Sequence, residues 1–276
     1  MAEAGPSGWE ARLALRFEQR AGRTVLAHRS HEGPLVVQKP FYPEGDVCHV
    51  YLLHPPGGVV GGDRLAIEIE VANDAHALIT TPAAGKFYRS AGPASIQEQL
   101  LSVAPGAALE WLPQETILYA RCRASLSTRV TLAPGARFMG WEVLCLGRPA
   151  AGEHFDAGLC RHRLELWCGD RPLLIERSTI AGGSELLRAP WGFGGRTVSG
   201  TLLATPADEA LLATVREAVT VEHDDLFSAT LLDSVLLCRY LGDSAESARR
   251  CFADAWRAVR PALLGREAQP PRIWRT

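Results

Sequence analysis

The sequence predicts a mainly β fold of layered, stacked antiparallel and mixed sheets, with about two α-helices in the C-terminal half. Three observations point there. Short runs up to about Arg196 alternate polar and apolar side chains, the period of a half-buried strand. Pro and Gly punctuate these runs at roughly ten-residue intervals, as in sandwiches and layered sheets. After Gly200 the apolar residues change to helical spacing.

Taken in order, the strand candidates begin with LALRFEQ (13–19), TVLAHR (24–29), LVVQKP (35–40) and CHVYLLH (48–54). They continue with RLAIEIEV (64–71), ALITTP (77–82), SIQEQLLSV (95–103) and ALEWLP (108–113). SLSTRVTL (125–132), RFMGWEVLCL (137–146), RHRLELWC (161–168) and RPLLIERSTI (171–180) complete the set. In RLAIEIEV, Leu65, Ile67, Ile69 and Val71 fall on one face and Arg64, Ala66, Glu68 and Glu70 on the other. VANDAHAL (71–78), VAPGAALEW (103–111) and LAPGARFMGW (132–141) share one scheme, with starts 32 and 29 residues apart. Asn-Asp and Pro-Gly are tight-turn pairs, so each reads as a hairpin corner leading into a strand.

TPADEALLATVREAVT (205–220) opens with Thr205, Pro206 and acidic residues, a helix N-terminal signature. DSAESARRCFADAWRAVRPALLG (243–265) starts at an Asp243 or Ser244 cap, and Pro261 ends or kinks it. Between them TLLDSVLLCRYLG (230–242) reads as a buried strand. QPPRIWRT reads as an extended strap. The chain is expected to form one domain, mainly β over 1–200, then helices and strap over 201–276.

Composition narrows the function classes. A chain of 276 residues buries roughly 75% of its unfolded surface. The net charge of -2 offers no electrostatic reason to expect nucleic acid or an anionic membrane as partner. No apolar run is long enough for a membrane helix. The start lacks the basic-then-apolar order of a secretion signal, so the expected location is cytoplasmic. Seven widely spaced cysteines without a CxxC argue against a disulfide framework or zinc finger. Lys39 and Lys86 are the only lysines among 29 basic residues.

HPPGGVVGGD (54–63) has the wrong spacing for a dinucleotide fingerprint, and an alternating strand follows it. Gly85-Lys86 lacks the rest of a phosphate loop. The stretch is a glycine-permitted chain reversal with His54 and Asp63 near its ends. TTPAAGKFYRS (80–90) presents Lys86, Phe87, Tyr88 and Arg89, a cation-plus-aromatic surface of the kind that anchors protein interfaces. WLPQETILYAR (111–121) sets Glu115 between Trp111 and Tyr119. His28 with His31, Cys160 with His162, and His223, Asp224 and Asp225 of EHDD match no dedicated metal site. No G-x-S-x-G elbow occurs.

Together, YLLHPPGGVVGGDRL, ITTPAAGKFYRS, EWLPQETILY and the C-terminal RYLGDSAESARRCFADAWRAVRPALLGREAQPPRIWRT resemble the urease accessory proteins called UreD, also named UreH. The resemblance runs in order over about residues 12 to 276. It implies a non-enzymatic scaffold that binds UreF, through it the GTPase UreG, and apo-urease. It further implies nickel in transit with no tightly bound cofactor. On that basis Asp63, Glu142, Glu176 and His54 are candidate steps of an internal polar passage for Ni2+. A buried carboxylate is costly unless water, a cation or a passing ion meets it, and the competing expectation is that Arg64 and Arg177 satisfy these acids. Lys86, Phe87, Tyr88, Arg89, Glu115 and Tyr119 are candidates for a partner face. Arg249, Arg250, Trp256 and Trp274 of the last helix and tail form a second. The alternatives are a hydrolase or isomerase using Asp63, His54 and Lys86 as acid–base groups, and a plain β-sandwich binding module.

Overall fold

Three turns of one design set the architecture. Ala75, Ala107 and Ala136 donate their backbone N–H to the carbonyls of Ala72, Ala104 and Ala133, at 3.1, 3.1 and 3.0 Å. Gly106 and Gly135 follow proline with φ of 70° and 77°, the left-handed position such a turn reserves for glycine. The turns also stack: Ala108 N–H bonds the Ala75 carbonyl and Arg137 N–H the Ala107 carbonyl, both at 2.9 Å. These are the three corners of the sequence repeat, but they do not close hairpins. Each carries the chain from one sheet to the other.

The computed structural model describes residues 8–221 and 224–275. Its strands are β1 (Glu10–Arg20), β2 (Arg23–Glu32), β3 (Val36–Val37), β4 (Cys48–Leu53), β5 (Arg64–Val71), β6 (His76–Thr80), β7 (Gly85–Phe87), β8 (Ser95–Val103) and β9 (Ala108–Leu112). Then come β10 (Thr116–Leu118), β11 (Arg123–Leu132), β12 (Arg137–Arg148), β13 (Glu153–His154), β14 (Leu159–Cys168) and β15 (Arg171–Ala181). After helix α1 (Glu185–Arg188) follow β16 (Val198–Thr205), α2 (Glu209–Ala218), β17 (Leu226–Leu232), β18 (Val235–Gly242) and α3 (Ala245–Leu264).

The first sheet runs β15-β14-β11-β8-β5-β1-β2, and the second β17-β18-β16-β12-β9-β6-β4-β3. Successive strands β5, β6, β8, β9, β11, β12 and β14 alternate between the sheets. Neighbours within each sheet are therefore parallel at the centre, as in β8 with β11 and β6 with β9. Antiparallel pairs close the flanks, as in β14 with β15 and β16 with β18. The mixed character follows from this winding.

Two apolar layers result. Inward residues of both sheets, among them Leu126, Val130, Leu144 and Leu164, pack between them. The opposite face of β12, with Met139, Trp141, Val143 and Cys145, packs under α2 and α3. This double burial explains why β12 reads as a nearly continuous apolar run.

Helix α2 starts later than the sequence suggests, whereas α3 starts at one of its two expected caps. Thr205 ends β16, and Asp208 caps α2 by accepting the Leu211 N–H at 2.9 Å. Ser244 caps α3 through the Ser247 N–H at 3.1 Å. Pro261 does not end α3, which continues to Leu264 and stops at Gly265 with φ of 68°. The segment 230–242 is a hairpin rather than one strand, because Asp233 takes a left-handed φ of 53° between β17 and β18. The tail does strap back, though Arg272–Arg275 form a short 3-10 turn and are not extended: Trp274 packs against the rings of Trp141 and Trp256, each at 5.6 Å, and donates to Thr80 Oγ1 at 2.9 Å.

An ionic network fixes α3 to the sheet. Arg260 and Glu110 have fully buried side chains, joined by Nε to Oε2 at 2.9 Å and Nη2 to Oε1 at 3.1 Å. Arg260 Nη2 also bonds Glu44 at 2.8 and 2.7 Å. His49 meets Glu44 at 2.7 Å, His76 meets Glu110 at 2.8 Å, and Trp256 Nε1 donates to Glu110 at 2.6 Å. Burial alone would raise the Glu110 carboxyl; His76 and Arg260 hold it at about 2 instead. Among the described residues no helix is long and apolar enough to cross a membrane.

Candidate functional site

The three glycine- and aromatic-rich stretches meet at one end of the sandwich. Val59 N–H bonds the Lys86 carbonyl at 2.7 Å and Tyr88 N–H returns to Val59 at 2.9 Å. Strand β7 then pairs with β10, joining Lys86 to Ile117 in register. Gly58 is required here, since a Cβ would stand 2.2 Å from the Tyr88 ring. Behind this end opens a cavity of about 260 Å³, lined by His54 and Lys86 at one side and by Gln99, Thr128, Glu142 and His162 deeper in. Trp111 also lines it, with a buried indole Nε1 that has no hydrogen-bond partner among the described residues.

A second cavity, of about 500 Å³, lies near edge strand β15 and is lined by Glu176, Arg177, Thr201 and Arg239. Glu142, Leu144 and His162 line both cavities. Strand alternation puts them there. Glu142 shares the face of β12 that carries Phe138, Leu144 and Leu146 into the space between the sheets. His162 occupies the inward phase of β14 with Cys160, Leu164 and Leu166.

Register then produces two facing rows, polar but for Leu164. On the first sheet Gln99, Thr128, Leu164 and Glu176 are lateral neighbours across β8, β11, β14 and β15. On the second, Glu142, Thr201 and Arg239 are neighbours across β12, β16 and β18. The rows touch. Glu142 Oε2 lies 2.7 Å from His162 Nε2, and Thr128 Oγ1 hydrogen-bonds Glu142 Oε1. Thr128 also contacts Gln99 at 2.8 Å, Arg239 donates to Thr201 at 2.7 Å, and Arg239 forms an ion pair with Glu176. Burial pushes the Glu142 carboxyl up, but His162 and Thr128 hold it below its ordinary value; burial pulls His162 down, and Glu142 raises it above its own. The centre of an otherwise apolar sandwich thus carries a carboxylate–imidazole pair between two cavities.

Asp63 is placed differently from expectation. Its carboxylate accepts the N–H groups of Trp9 and Val60, both at 2.9 Å, and it is not in the wall of either cavity. It clasps the HPPGGVVGGD turn to the N-terminal strand. Burial lowers the basicity of His54, with Asp63 acting the other way. His54 and Lys86 share the first cavity while Asp63 does not, so the acid–base triad of the hydrolase alternative does not converge. The partner of Glu176 is Arg239 rather than Arg177, and Arg64 pairs with neither Glu142 nor Glu176.

Of the interface candidates, Phe87 and Trp256 are core residues, 1% and 0% exposed. Phe87 faces inward because Lys86, one position earlier in β7, takes the opposite phase. Tyr88 stacks edge-on against Tyr119 at 4.8 Å, and Arg148 lies over Tyr119 at 4.3 Å. Arg89 and Arg250 are exposed. Glu115 and Arg249, expected on separate faces, form an ion pair at 3.3 Å. Trp274 is part of the strap.

Among the described residues no three His, Cys, Asp or Glu side chains converge to hold a metal ion. His223 of EHDD lies outside the described residues, and Asp225 accepts the Tyr240 hydroxyl at 2.7 Å. Cys160 is fully buried, and burial pushes its thiol up to about 12. His162 was legible as an inward-phase histidine in RHRLELWC. The Glu110–Arg260 network joins residues 150 positions apart and left no local trace.

A family profile described as "UreD urease accessory protein" matches residues 10–275. The chain is 49% identical over 271 residues to "Urease accessory protein UreD" of Citrobacter koseri, covering 98% of this chain and 92% of that one. It is 48% identical over 270 residues to the protein of the same name from Alkalilimnicola ehrlichii, covering 98% and 92%. It is 46% identical over 272 residues to that of Klebsiella aerogenes, covering 98% and 97%. The chain belongs to the UreD family of urease accessory proteins, a family of accessory proteins and not of enzymes.

Proposed function

We propose that this chain is a cytoplasmic scaffold in urease maturation that binds UreF, through it UreG, and apo-urease, and lets Ni2+ cross between its two sheets toward the urease active site. The observation that carries the reading is Glu142. A carboxylate at the centre of an apolar sandwich is costly to stability, yet here it stands where two cavities share a wall, flanked by polar residues from both sheets. The route runs from His54 and Lys86, past Gln99, Thr128, Glu142 and His162, to Thr201, Glu176 and Arg239.

Ni2+ is cargo in this scheme. One carboxylate, one imidazole and neighbouring hydroxyl and amide oxygens give a weak, incomplete ligand set that water must fill out. Weak holding suits transfer, because a closed cage would retain the ion. Glu142 offers the negative charge that offsets dehydration, and His162 returns to it once the ion has moved on. Glu176 repeats this with Arg239 at the second mouth.

The test is urease activation with Glu142→Gln and Glu176→Gln, each keeping shape while removing charge. Complexes with UreF and apo-urease should form normally, and the urease recovered should hold several-fold less nickel. Full nickel loading by both variants would reject the route.

A further inference from the structure

The outer face of the first sheet carries a surplus of positive charge at one end that the reading above leaves unused. Strands β11, β14 and β15 alternate, and their outward positions bring Arg123, Arg129, Arg161, Arg163 and Arg177 onto one surface. The acid among them is Glu165, whose side chain is 1% exposed. Arg129 Nη2 lies 2.7 Å from Glu165 Oε2, Arg163 forms an ion pair with Oε1, and Arg177 Nη2 stands 3.7 Å away. Trp167 Nε1 donates to the same carboxylate at 3.1 Å, and Arg129 lies over the Trp167 ring at 5.4 Å. A single sunken carboxylate therefore orients three guanidinium groups whose side chains remain 45%, 41% and 66% exposed. Each fork has five donors, more than Glu165 can take up. The chain as a whole has a net charge of -2, so this concentration is local.

Two exposed apolar residues border it. Ile175 is the lateral neighbour of Glu165 and 43% exposed; Leu100 is the neighbour of Arg129 and 48% exposed. Held arginines, a half-buried tryptophan and exposed aliphatic side chains are the composition of a protein-recognition surface. A phosphate backbone fits less well, since it gains nothing from Leu100 and Ile175 and meets Glu165 at the centre and Glu98 one strand further on. Arg177 and Ile175 also line the second cavity, so an occupant of this face would sit beside the Glu176 mouth.

We propose that the outer face of β11, β14 and β15 is a docking surface for an acidic protein surface, one presenting several carboxylates around an apolar residue. Preoriented guanidinium forks take carboxylates in bidentate fashion. Their charge speeds encounter and selects against basic partners. This face docks its partner whether or not an ion crosses the interior.

The experiment uses the full chain with Arg161→Glu/Arg177→Glu, and Arg161→Gln/Arg177→Gln should the reversal impair folding. Arg12→Glu, on the same face but toward the opposite edge of the sheet, is the control. Binding to immobilised poly-L-glutamate, to apo-urease, to UreF and to a short DNA duplex is measured at low and high salt, with circular dichroism confirming the fold. The expected result is salt-sensitive binding to poly-L-glutamate and to apo-urease or UreF that falls about tenfold or more in the double variant and not in the control. Equal binding by wild type and double variant, no wild-type binding to poly-L-glutamate, or a preference for DNA overturns the proposal. Wild-type chain that binds poly-L-glutamate through these arginines but neither protein would count against the maturation partners above and not against this face.

Discussion

Replacing Arg260 with methionine removes the centre of the buried network while keeping a long apolar stem against Trp256. Glu110 would keep His76 and Trp256 as partners, and Glu44 would keep His49. Both carboxylates would lose their guanidinium. Breaking a buried pair by removing one partner costs about 3–5 kcal/mol, because the other charge stays buried. The Glu110 carboxyl gives a second route to the magnitude. Its pKa falls from an ordinary 4.5 to about 2, which corresponds to about 3 kcal/mol at neutral pH. That second figure belongs to His76 first and to Arg260 after it, so it is an upper bound on the arginine's share and does not add to the first. Thermal unfolding by circular dichroism at pH 7 should show a melting point lower by roughly 6–20 °C at about 2–4 °C per kcal/mol. Because the folded pKa is depressed, the Glu110 contribution is complete above 4.5 and drains away as pH falls toward about 2. Wild type should therefore lose stability steeply across that window, and Arg260→Met less steeply, since His76 still holds the carboxyl down. Arg260→Lys should recover little, since one ammonium cannot serve Glu110, Glu44 and the Glu267 carbonyl together. A loss below about 1 kcal/mol, the worth of an exposed pair, would refute the reasoning.

Phe87→Ala should cost about 3–5 kcal/mol in denaturant unfolding as a core truncation, while Lys86→Ala should leave stability unchanged and weaken partner binding in a pull-down. Asp63→Ala should destabilise by about 1–3 kcal/mol through two unpaired backbone N–H groups, with urease still reaching full nickel content at permissive temperature. Gly200→Ala would set a Cβ 2.6 Å from the Phe252 ring, and should lower the melting point by an overpacking cost of about 1–3 kcal/mol.

Much of this was written locally in the chain. Alternation marked RLAIEIEV, SIQEQLLSV and RHRLELWC as strands, and the three Ala-turn-Ala corners carried the winding period. What alternation cannot state is which sheet a strand joins. Hairpin and crossover corners share the same turn residues, so the parallel centre had no local signature. Glu142 and Glu176 stood out because each interrupts an apolar run. Asp63 misled because an aspartate after glycines looks alike whether it faces a cavity or clasps a turn; only the position of Trp9, 54 residues away, decides. Phe87 and Trp256 misled because aromatic residues suit a core and an interface equally well. Arg260 was hidden at an apolar phase of α3, where an arginine is uncommon, and its partners lie on distant strands.

Nickel-soaked crystals of the chain with UreF, recorded at the nickel absorption edge, address the interior route most directly. Anomalous density beside Glu142 and His162, absent in Glu142→Gln, is the expected result. Density confined to the outer surface, with the space between the sheets empty of metal, would contradict it.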